Sequence, residues 1–373
     1  AAITVNNTDG TCTANITSNG GGQLANRNKV INGAMTVSQR HGTSSVQLSA
    51  SEQYIIDRFE NDTGSSFDMK ADASQSTDAP DGFSNSLKLA CDGVSAVSST
   101  SNGMITTFLE GQDVQDLAFG TSNAKSVTLS FYAKSSSQNN GHVYGVFLGA
   151  YLNGTRNAQT RGFTVTSSWQ RFTMTFAGTG TATSTAINND NLKGFQIGFS
   201  LACGSNDQVS YSTWTAESNL LGFTGQDNFF DNTSNEIYIT GVQLEVGTVA
   251  TDFEHRSFAQ ELDLCERYCQ VLVQGSQYFG TCMLYTSSTH TSAFLWKKTM
   301  RSTPTIVANS GGNYYITYRN SGSVSYDSLS GSISLGNQHG GGVYTTSGSG
   351  TQGHAGTMGG ANANTFVYIE AEL

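Results

Sequence analysis

Short runs in which apolar and polar residues alternate recur along the whole chain, each bounded by clusters of glycine, asparagine and serine. The clearest are SVTLSFYAKS at 126–135 and GFQIGFSLA at 194–202. A period of two residues is the signature of a strand with one buried face. With 10% aromatic residues, 42 glycines and only 2 prolines, the composition does not resemble that of a disordered acidic chain. The sequence therefore predicts an all-β protein.

The stretch 237–270 divides the chain into two parts. Its first ten residues alternate as a strand would, provided that one residue is slipped at Gly241, which predicts a bulge. Ser257 and Gln260 have the spacing of a capping box. The residues behind it that fall at helical spacing on one face, and that we expect to be buried, are Phe258, Leu262, Cys265 and Cys269. We predict a strand followed by a helix.

The predicted fold is a jelly-roll-like antiparallel β-sandwich, one connecting α-helix and a second, glycine-rich β-domain. Residues 320–364 have the composition of a linker, but they lie between good strands, so we expect loops and short strands there. The predicted segments are an N-terminal attachment arm at 1–26, the sandwich at 27–255, the helix at 256–271 and the C-terminal β-domain at 272–373.

Charge and hydropathy exclude several classes of partner. A net charge of −10 and a pI near 5.0 disfavour nucleic acid and anionic membrane surfaces. No apolar run reaches the length of a membrane span, and the N-terminal stretch lacks the pattern of a signal peptide. Charged residues make up only 12% of the chain, which favours a surface covered by partners. We therefore expect a homo-oligomer whose arm binds neighbouring proteins.

Catalytic and metal-binding motifs are weak. The histidines show no HExxH or Cys/His ligand run; His339 and His354 share a glycine-rich region, which leaves a metal site open but not favoured. The six cysteines are expected to be buried free thiols. Asp57 and Arg58 interrupt an apolar run, and we expect them to bind backbone or partner groups rather than to act in catalysis. Carboxylates that suit glycoside cleavage by type alone are Asp113, Asp116, Asp227, Asp231 and Glu245. We predict no enzyme, no cofactor and no metal.

Aromatic residues in long loops are the best candidates for ligand binding, because aromatic faces with nearby amides and carboxylates can hold sugars. The loop at 203–235 is long for a sandwich and aromatic, although it could equally pack on its own sandwich or on a neighbouring subunit. The predicted binding residues are Tyr211, Trp214 and Phe229 in that loop, and Tyr314, His339, Tyr344 and His354 in the C-terminal region.

Four segments resemble parts of a known family. They are NRNKVINGAMTVSQR with YIIDRF shortly after it, FLEGQDVQDL, GVQLEVGTVATDFEHRSFAQELDLCERY and WKKTMRSTPTIV. Together they cover most of residues 26–310, and in this order they resemble structural proteins of tailed bacteriophages, especially marine podophages. The resemblance implies a virion protein with a carbohydrate-binding-module-like β-sandwich, of the kind found in tail and head fibres, adhesins and capsid decoration proteins, which are often trimeric. The family motif supplies no catalytic residues.

The function that follows is a non-enzymatic virion structural protein, a short fibre, head fibre or capsid decoration. It would be made in the host cytoplasm, anchor to the particle surface and present β-domains to host-surface glycans. Two alternatives remain. One is a glycan-active enzyme, or the carbohydrate-binding module of a polysaccharide depolymerase. The other is a purely structural assembly protein that binds no receptor.

Overall fold

The structure is a computed structural model that describes residues 26–64, 67–180, 186–210, 213–216 and 221–373, without the side chains of residues 279 and 331–335. It is almost entirely β, and its hydrogen-bonded sheets are nearly all antiparallel. The all-β prediction is confirmed. The predicted arm at 1–26 and the candidate Tyr211 lie outside the described residues, apart from position 26.

Strands of the first part of the chain form two large sheets that pack face to face as a jelly-roll-like sandwich. One sheet has the order β1-β4-β5-β15-β7-β10 and the other β13-β9-β8-β11-β6-β3-β2. The strands are β1 (Val46–Gln47), β2 (Gln53–Ile56), β3 (Phe59–Gly64), β4 (Ala71–Ser76), β5 (Ser86–Cys91), β6 (Asn102–Glu110), β7 (Val127–Ser135), β8 (Val143–Leu152), β9 (Thr155–Thr164), β10 (Gln170–Phe176), β11 (Lys193–Cys203), β12 (Gln208–Val209), β13 (Thr215–Ala216), β14 (Gly222–Phe223) and β15 (Glu236–Val246).

Both faces of β6, β8 and β11 are buried, which alternation alone does not predict. Their apolar faces form the sandwich core. Parts of their other faces lie beneath the loop at 203–235: Leu221 packs with Met104 of β6 and Phe147 of β8, and Gln226 donates to the carbonyl of Ser200 in β11 at 3.3 Å. The described parts of this loop thus cover their own sandwich.

The strand β15 lies at the centre of its sheet, between β5 and β7. The register with β7 shifts between Thr240 and Gln243, and Gly241 in between has a φ of 62°. A Cβ atom at Gly241 would lie 2.8 Å from the ring of Phe83 and 2.9 Å from that of Tyr132. The predicted bulge is confirmed, and glycine is required there by both backbone and space.

A single α-helix, α1 (Phe258–Cys265), follows this strand in the described residues. The capping box is confirmed: the Gln260 amide donates to the Ser257 hydroxyl at 3.3 Å, and the Ser257 amide donates to the Gln260 side chain at 2.9 Å. The helix is shorter than the predicted 256–271, because turns follow Glu266 and a strand begins at Cys269.

The predicted buried face of this helix is partly wrong. Phe258 is 60% exposed, whereas Glu261 and Cys265 are buried. Glu261 accepts from the backbone amide of Asn32 at 2.8 Å and pairs with Arg256 at 3.1 Å. Helical periodicity alone predicts that the larger apolar residue, Phe258, is buried. The buried position is instead that of Glu261, a carboxylate that has partners on the sandwich.

The second part of the chain forms a three-stranded sheet, β16-β25-β19, and a seven-stranded sheet, β21-β20-β24-β17-β18-β23-β22. Apolar residues of both sheets share a second core. The glycine-rich stretch 320–364 is thus largely strands, in line with the prediction. The strands are β16 (Cys269–Gln274), β17 (Tyr278–Leu284), β18 (His290–Leu295), β19 (Thr305–Ala308), β20 (Tyr315–Arg319), β21 (Gly322–Tyr326), β22 (Ser330–Asn337), β23 (Gly340–Thr345), β24 (Ala355–Gly360) and β25 (Phe366–Glu370).

Buried charges join the sandwich to the C-terminal strands. Arg58 is 2% exposed, pairs with Glu372, donates to the carbonyl of Phe108 at 2.7 Å and lies 3.6 Å over the ring of Tyr268. The pair predicted to bind backbone or partner groups at an edge therefore does so within its own chain, and Asp57 beside it accepts from Gln39.

Glu110 makes a second link across this junction. It is buried in β6 and accepts from Arg267 at 2.6 and 2.8 Å and from the Tyr268 hydroxyl at 2.6 Å. Burial by itself would raise the pKa of Glu110, but these hydrogen bonds outweigh it, and the pKa is lowered. The carboxylate is therefore charged and satisfied.

Glu60, near the same junction, is expected to make stability depend on pH. Burial raises its pKa from 4.5 to about 7. Because the folded chain holds this proton more tightly than the unfolded chain, its stabilising effect is complete below about pH 4.5 and is lost as the pH rises through 7. Relative to Glu60→Gln, the free energy of unfolding of the wild type should fall by at most about 3 kcal/mol between pH 4 and 8. Urea denaturation across this range measures it, and parallel curves for the two proteins would contradict the assignment.

Candidate functional site

The outward side of the seven-stranded sheet exposes a row of large side chains, which we call the tyrosine face. Its members are Tyr278, Met283, Tyr285, Leu295, Tyr318 and the half-buried Tyr344. The inward side of the same sheet packs in the second core. Contiguous exposed apolar groups on a soluble protein mark surfaces that bind something. The tyrosine face is therefore the candidate functional site.

Strand alternation and register bring these side chains together. In β17, Cys282 and Leu284 are buried while Met283 points outward, and Tyr285 directly after the strand is exposed. In β20, Tyr318 is outward, and its ring meets that of Tyr278 edge to face at 5.6 Å between centroids. Tyr278 is 67% exposed, so it presents a free face beside this contact. The two tyrosines thus form an aromatic pair from β17 and β20, the strands on either side of β24.

A groove of about 370 Å³ borders the tyrosine face where β18 lies beside β23. Gly340, Gly341 and Gly342 line one side of it, together with Leu295 and His339, and we call it the glycine groove. The close packing of β23 on β18 requires glycine there, since a Cβ at Gly340 would lie 2.6 Å from the carbonyl oxygen of Phe294, and one at Gly342 would lie 2.8 Å from that of Ser292. On this side the groove is therefore lined by backbone.

The rims of this groove carry polar groups. His339 is exposed, and its Nδ1 atom lies 3.3 Å from the Thr299 hydroxyl. The Asn337 side chain accepts from the backbone amide of His339 at 2.7 Å. The histidine is thereby held at the groove with its Nε2 atom on the far side of the ring from Thr299. The groove offers a few polar groups around an apolar centre, as small-ligand sites do.

A larger cleft of about 600 Å³ opens at the junction, and Arg40 within it is already paired with carboxylates. Arg40 contacts Glu372 at 3.0 Å and Glu370 at 3.2 Å, and its guanidinium lies over the rings of Tyr54 and Tyr368. These groups hold the sandwich against the C-terminal strands. The cleft is a structural seam.

The two predicted candidates of the loop at 203–235 that the structure describes, Trp214 and Phe229, do not form a ligand platform. Phe229 is fully buried, with its ring at right angles to that of Phe230, so the prediction for Phe229 is wrong. Trp214 packs edge-on against Phe119 at 5.2 Å, and its indole nitrogen donates to the carbonyl of Ala177 at 2.6 Å. Of the alternatives left open for this loop, packing on its own sandwich is the one observed.

The candidates predicted in the C-terminal region lie on or around its seven-stranded sheet. Tyr344 belongs to the tyrosine face, where it pairs with Thr291, and His339 lines the glycine groove. Tyr314 is partly buried and packs against the second core. His354 is exposed in the turn before β24. The structure thus brings two of these four residues, Tyr344 and His339, to the candidate site.

His339 and His354 do not meet within the chain. His339 immediately precedes β23, at the end where that strand pairs with Leu295. The carbonyl of His354 accepts from Leu284, which pairs with His290 at the other end of β18. Five strand residues separate those ends by roughly 17 Å. Among the described residues no group of histidines, cysteines and carboxylates has the arrangement of a metal site, and the five described cysteines are buried free thiols.

Tyr278 and Tyr318 are not among the predicted binding residues, because the prediction favoured aromatic residues in long loops. A signal is present at β17, where Met283 and the following Tyr285 occupy the alternate positions to Cys282 and Leu284. A strand with apolar residues on both sides either is covered on both or exposes one for binding.

Comparisons with known proteins give only distant likenesses. No protein-family model matches the chain, and no curated protein matches it. None of the helices in the described ranges combines the length and apolarity of a membrane span.

Solved structures with a similar arrangement include the enzymatically active domain of bacteriophage CBA120 tailspike protein 4, with 12% identity, a TM-score of 0.30 and coverage of 59% of this chain and 21% of that one. The chain thus spans about a fifth of that tailspike structure. A family 11 carbohydrate-binding module of Clostridium thermocellum has 12% identity, a TM-score of 0.29 and coverage of 57% and 99%. The xylan-binding domain CBM22-1 of Paenibacillus barcinonensis has 8% identity, a TM-score of 0.28 and coverage of 56% and 99%. At these TM-scores the likenesses carry no argument about this chain.

Proposed function

We propose that this protein is a non-enzymatic bacteriophage virion structural protein that uses the tyrosine face to bind glycans on the host surface. The observation that supports glycan binding is the exposed pair Tyr278 and Tyr318, a rigid aromatic surface surrounded by hydroxyl-bearing side chains. Sugars have apolar C–H faces that stack on aromatic rings and hydroxyls that hydrogen-bond beside them. The tyrosine face provides both kinds of contact.

The virion assignment rests on the four sequence segments that resemble phage structural proteins. In this proposal the protein lies on the particle surface as a short fibre, head fibre or capsid decoration, and residues 1–26 attach it to capsid or tail proteins. The chain assembles as a homo-oligomer, with a trimer favoured. The sandwich serves as a rigid support, because the buried junction of Arg58 and Glu110 fixes it to the C-terminal strands.

Two measurements test this function. Gold-labelled antibody against the chain should mark particles at one site in electron micrographs, and unmarked particles would contradict the virion assignment. The fluorescently labelled full chain should bind intact host cells and lose binding when surface polysaccharide is oxidised with periodate, which cleaves the carbon–carbon bonds of vicinal diols in sugar rings. Binding that is unchanged by periodate would contradict a glycan receptor.

Substituting the aromatic pair should abolish attachment without unfolding the protein. For Tyr278→Ala/Tyr318→Ala we expect at least about a tenfold loss of affinity for host cells, since exposed aromatic anchors dominate binding energy. The side chains contribute little to the core, so the melting temperature should change little. The matched control is Phe258→Ala, an exposed aromatic residue on α1 away from the face. Equal affinity for both variants would contradict the assignment of the site.

A further inference from the structure

We infer that the ligand of the tyrosine face is an electrically neutral glycan, one built of hexoses or their N-acetyl derivatives without carboxylate, sulfate or phosphate groups. This inference rests on the proposed glycan-binding function and adds the chemical class of the ligand. Three features of the sheet point to this class: its charges, the hydroxyl groups that lie between its tyrosines, and the glycine groove.

The seven strands of the sheet contain one residue of formal charge, Arg319. Its side chain lies on the opposite alternation from the exposed Tyr318 and donates to the Ser349 hydroxyl at 3.2 Å. The net charge of −10 is therefore carried by other parts of the chain.

The two lysines that follow β18 both form ion pairs outside the tyrosine face. Lys297 pairs with Glu266 at 3.1 Å, and Lys298 pairs with Asp263 at 2.5 Å. Recognition of a carboxylate or sulfate needs an available guanidinium, ammonium or cluster of amides, because an anion that leaves water without a partner loses its hydration free energy. The described side chains of the tyrosine face provide no such cation. Acidic polysaccharides are therefore disfavoured as ligands.

Hydroxyl groups are interleaved with the tyrosines by the strand register. Tyr318 lies between Ser323 and Thr357, and Thr357 in turn pairs with Thr281. A second row joins Met283 to Thr291 and Tyr344; its register is fixed by the pairing of β17, β18 and β23. Directly paired residues lie about 5 Å apart, so the rings of Tyr318 and Tyr344 each have a hydroxyl within reach of a sugar stacked on them.

This pattern matches the chemistry of a neutral sugar. A pyranose ring has an apolar face and a rim of hydroxyls that both donate and accept, and serine and threonine hydroxyls do the same. The glycine groove beside Leu295 adds a channel in which a ring can approach the backbone. The exposed aliphatic members of the face are Met283 and Leu295, which lie among hydroxyls and tyrosines.

The test is an array of immobilised polysaccharides probed with the full chain at 50 mM and 500 mM NaCl. Neutral glucans, mannans, galactans and N-acetylglucosamine polymers are compared with polyuronates, sialylated chains and sulfated polysaccharides. We expect binding to one or more neutral polymers, unchanged between the two salt concentrations because no charge is involved. Tyr278→Ala/Tyr318→Ala should reduce this signal at least tenfold, and Phe258→Ala should leave it intact.

The other outcomes would contradict the neutral ligand class, the position of the site or the proposed function. Binding to acidic polymers that weakens in high salt and still depends on the two tyrosines would overturn the neutral class while preserving the proposed function. Binding to neutral polymers that survives the double substitution would move the site away from the tyrosine face. Failure to bind any polymer on the array or to host cells would overturn both. Concentration-dependent self-association that is lost in the double variant, measured by analytical ultracentrifugation, would identify the face as an interface between copies instead.

Discussion

Replacing Arg58 by alanine is expected to lower the free energy of unfolding by about 3–5 kcal/mol, because it breaks a buried ion pair and leaves Glu372 with Arg40 as its remaining cationic partner. Arg58 is 2% exposed and pairs with Glu372, whose side chain is 8% exposed. The variant also loses the hydrogen bond to Phe108 and the contact with the Tyr268 ring. Urea denaturation followed by tryptophan fluorescence measures the change.

The control for Arg58 is an exposed ion pair on the sandwich. Lys134 pairs with Asp78, whose side chain is 42% exposed, and surface pairs of this kind contribute less than about 1 kcal/mol. Lys134→Ala should therefore have a small effect. If Arg58→Ala cost no more than Lys134→Ala, the charges at the junction would not hold the two parts of the chain together.

A substitution in the sandwich core should have an effect of similar size. Phe131 is fully buried, and its ring lies 5.0 Å from that of Phe199, 5.2 Å from that of Phe163 and 5.3 Å from that of Phe172. Truncation to alanine removes apolar burial and leaves a cavity among these rings. We expect Phe131→Ala to lower the free energy of unfolding by about 3–5 kcal/mol.

The same residue type on α1 gives the matched control. The spacing of Phe258 predicts a core residue and hence a loss of roughly 2–5 kcal/mol on truncation. Its 60% exposure reverses that expectation, so Phe258→Ala should change stability by no more than about 0.5 kcal/mol. Thermal or urea denaturation of the two variants side by side decides between these expectations. A large loss for Phe258→Ala would mean that this helix face is covered in the assembled protein.

Features that depend on local sequence could be predicted. The bulge at Gly241 and the capping box of Ser257 follow from a slipped alternation and a spacing of three residues, and both are present. The apolar faces of β7 and β11 are also buried where alternation places them. Such signals are local, so tertiary packing does not alter them.

Features that depend on which element covers which face could not be predicted. Phe229 lies in a polar loop, and its burial follows from the way that the loop folds back over the sandwich. Tyr278 and Tyr318 lie in strands, and their exposure follows from the absence, within the described chain, of a layer on that side of the sheet. In both cases the residue is aromatic. Whether it lies in the core or on an exposed surface depends on whether another layer of the protein covers it. Sequence periodicity carries no information about that layer.

The site on the tyrosine face is tested most directly by hydrogen–deuterium exchange of the full chain with and without polysaccharide purified from the host surface. Bound glycan should slow exchange in Tyr278–Leu284 and Tyr315–Arg319, the strands of the aromatic pair, and leave Phe258–Cys265 unchanged. Protection confined to the sandwich loop at 203–235, with the two strands unaffected, would contradict the account and return the binding site to that loop.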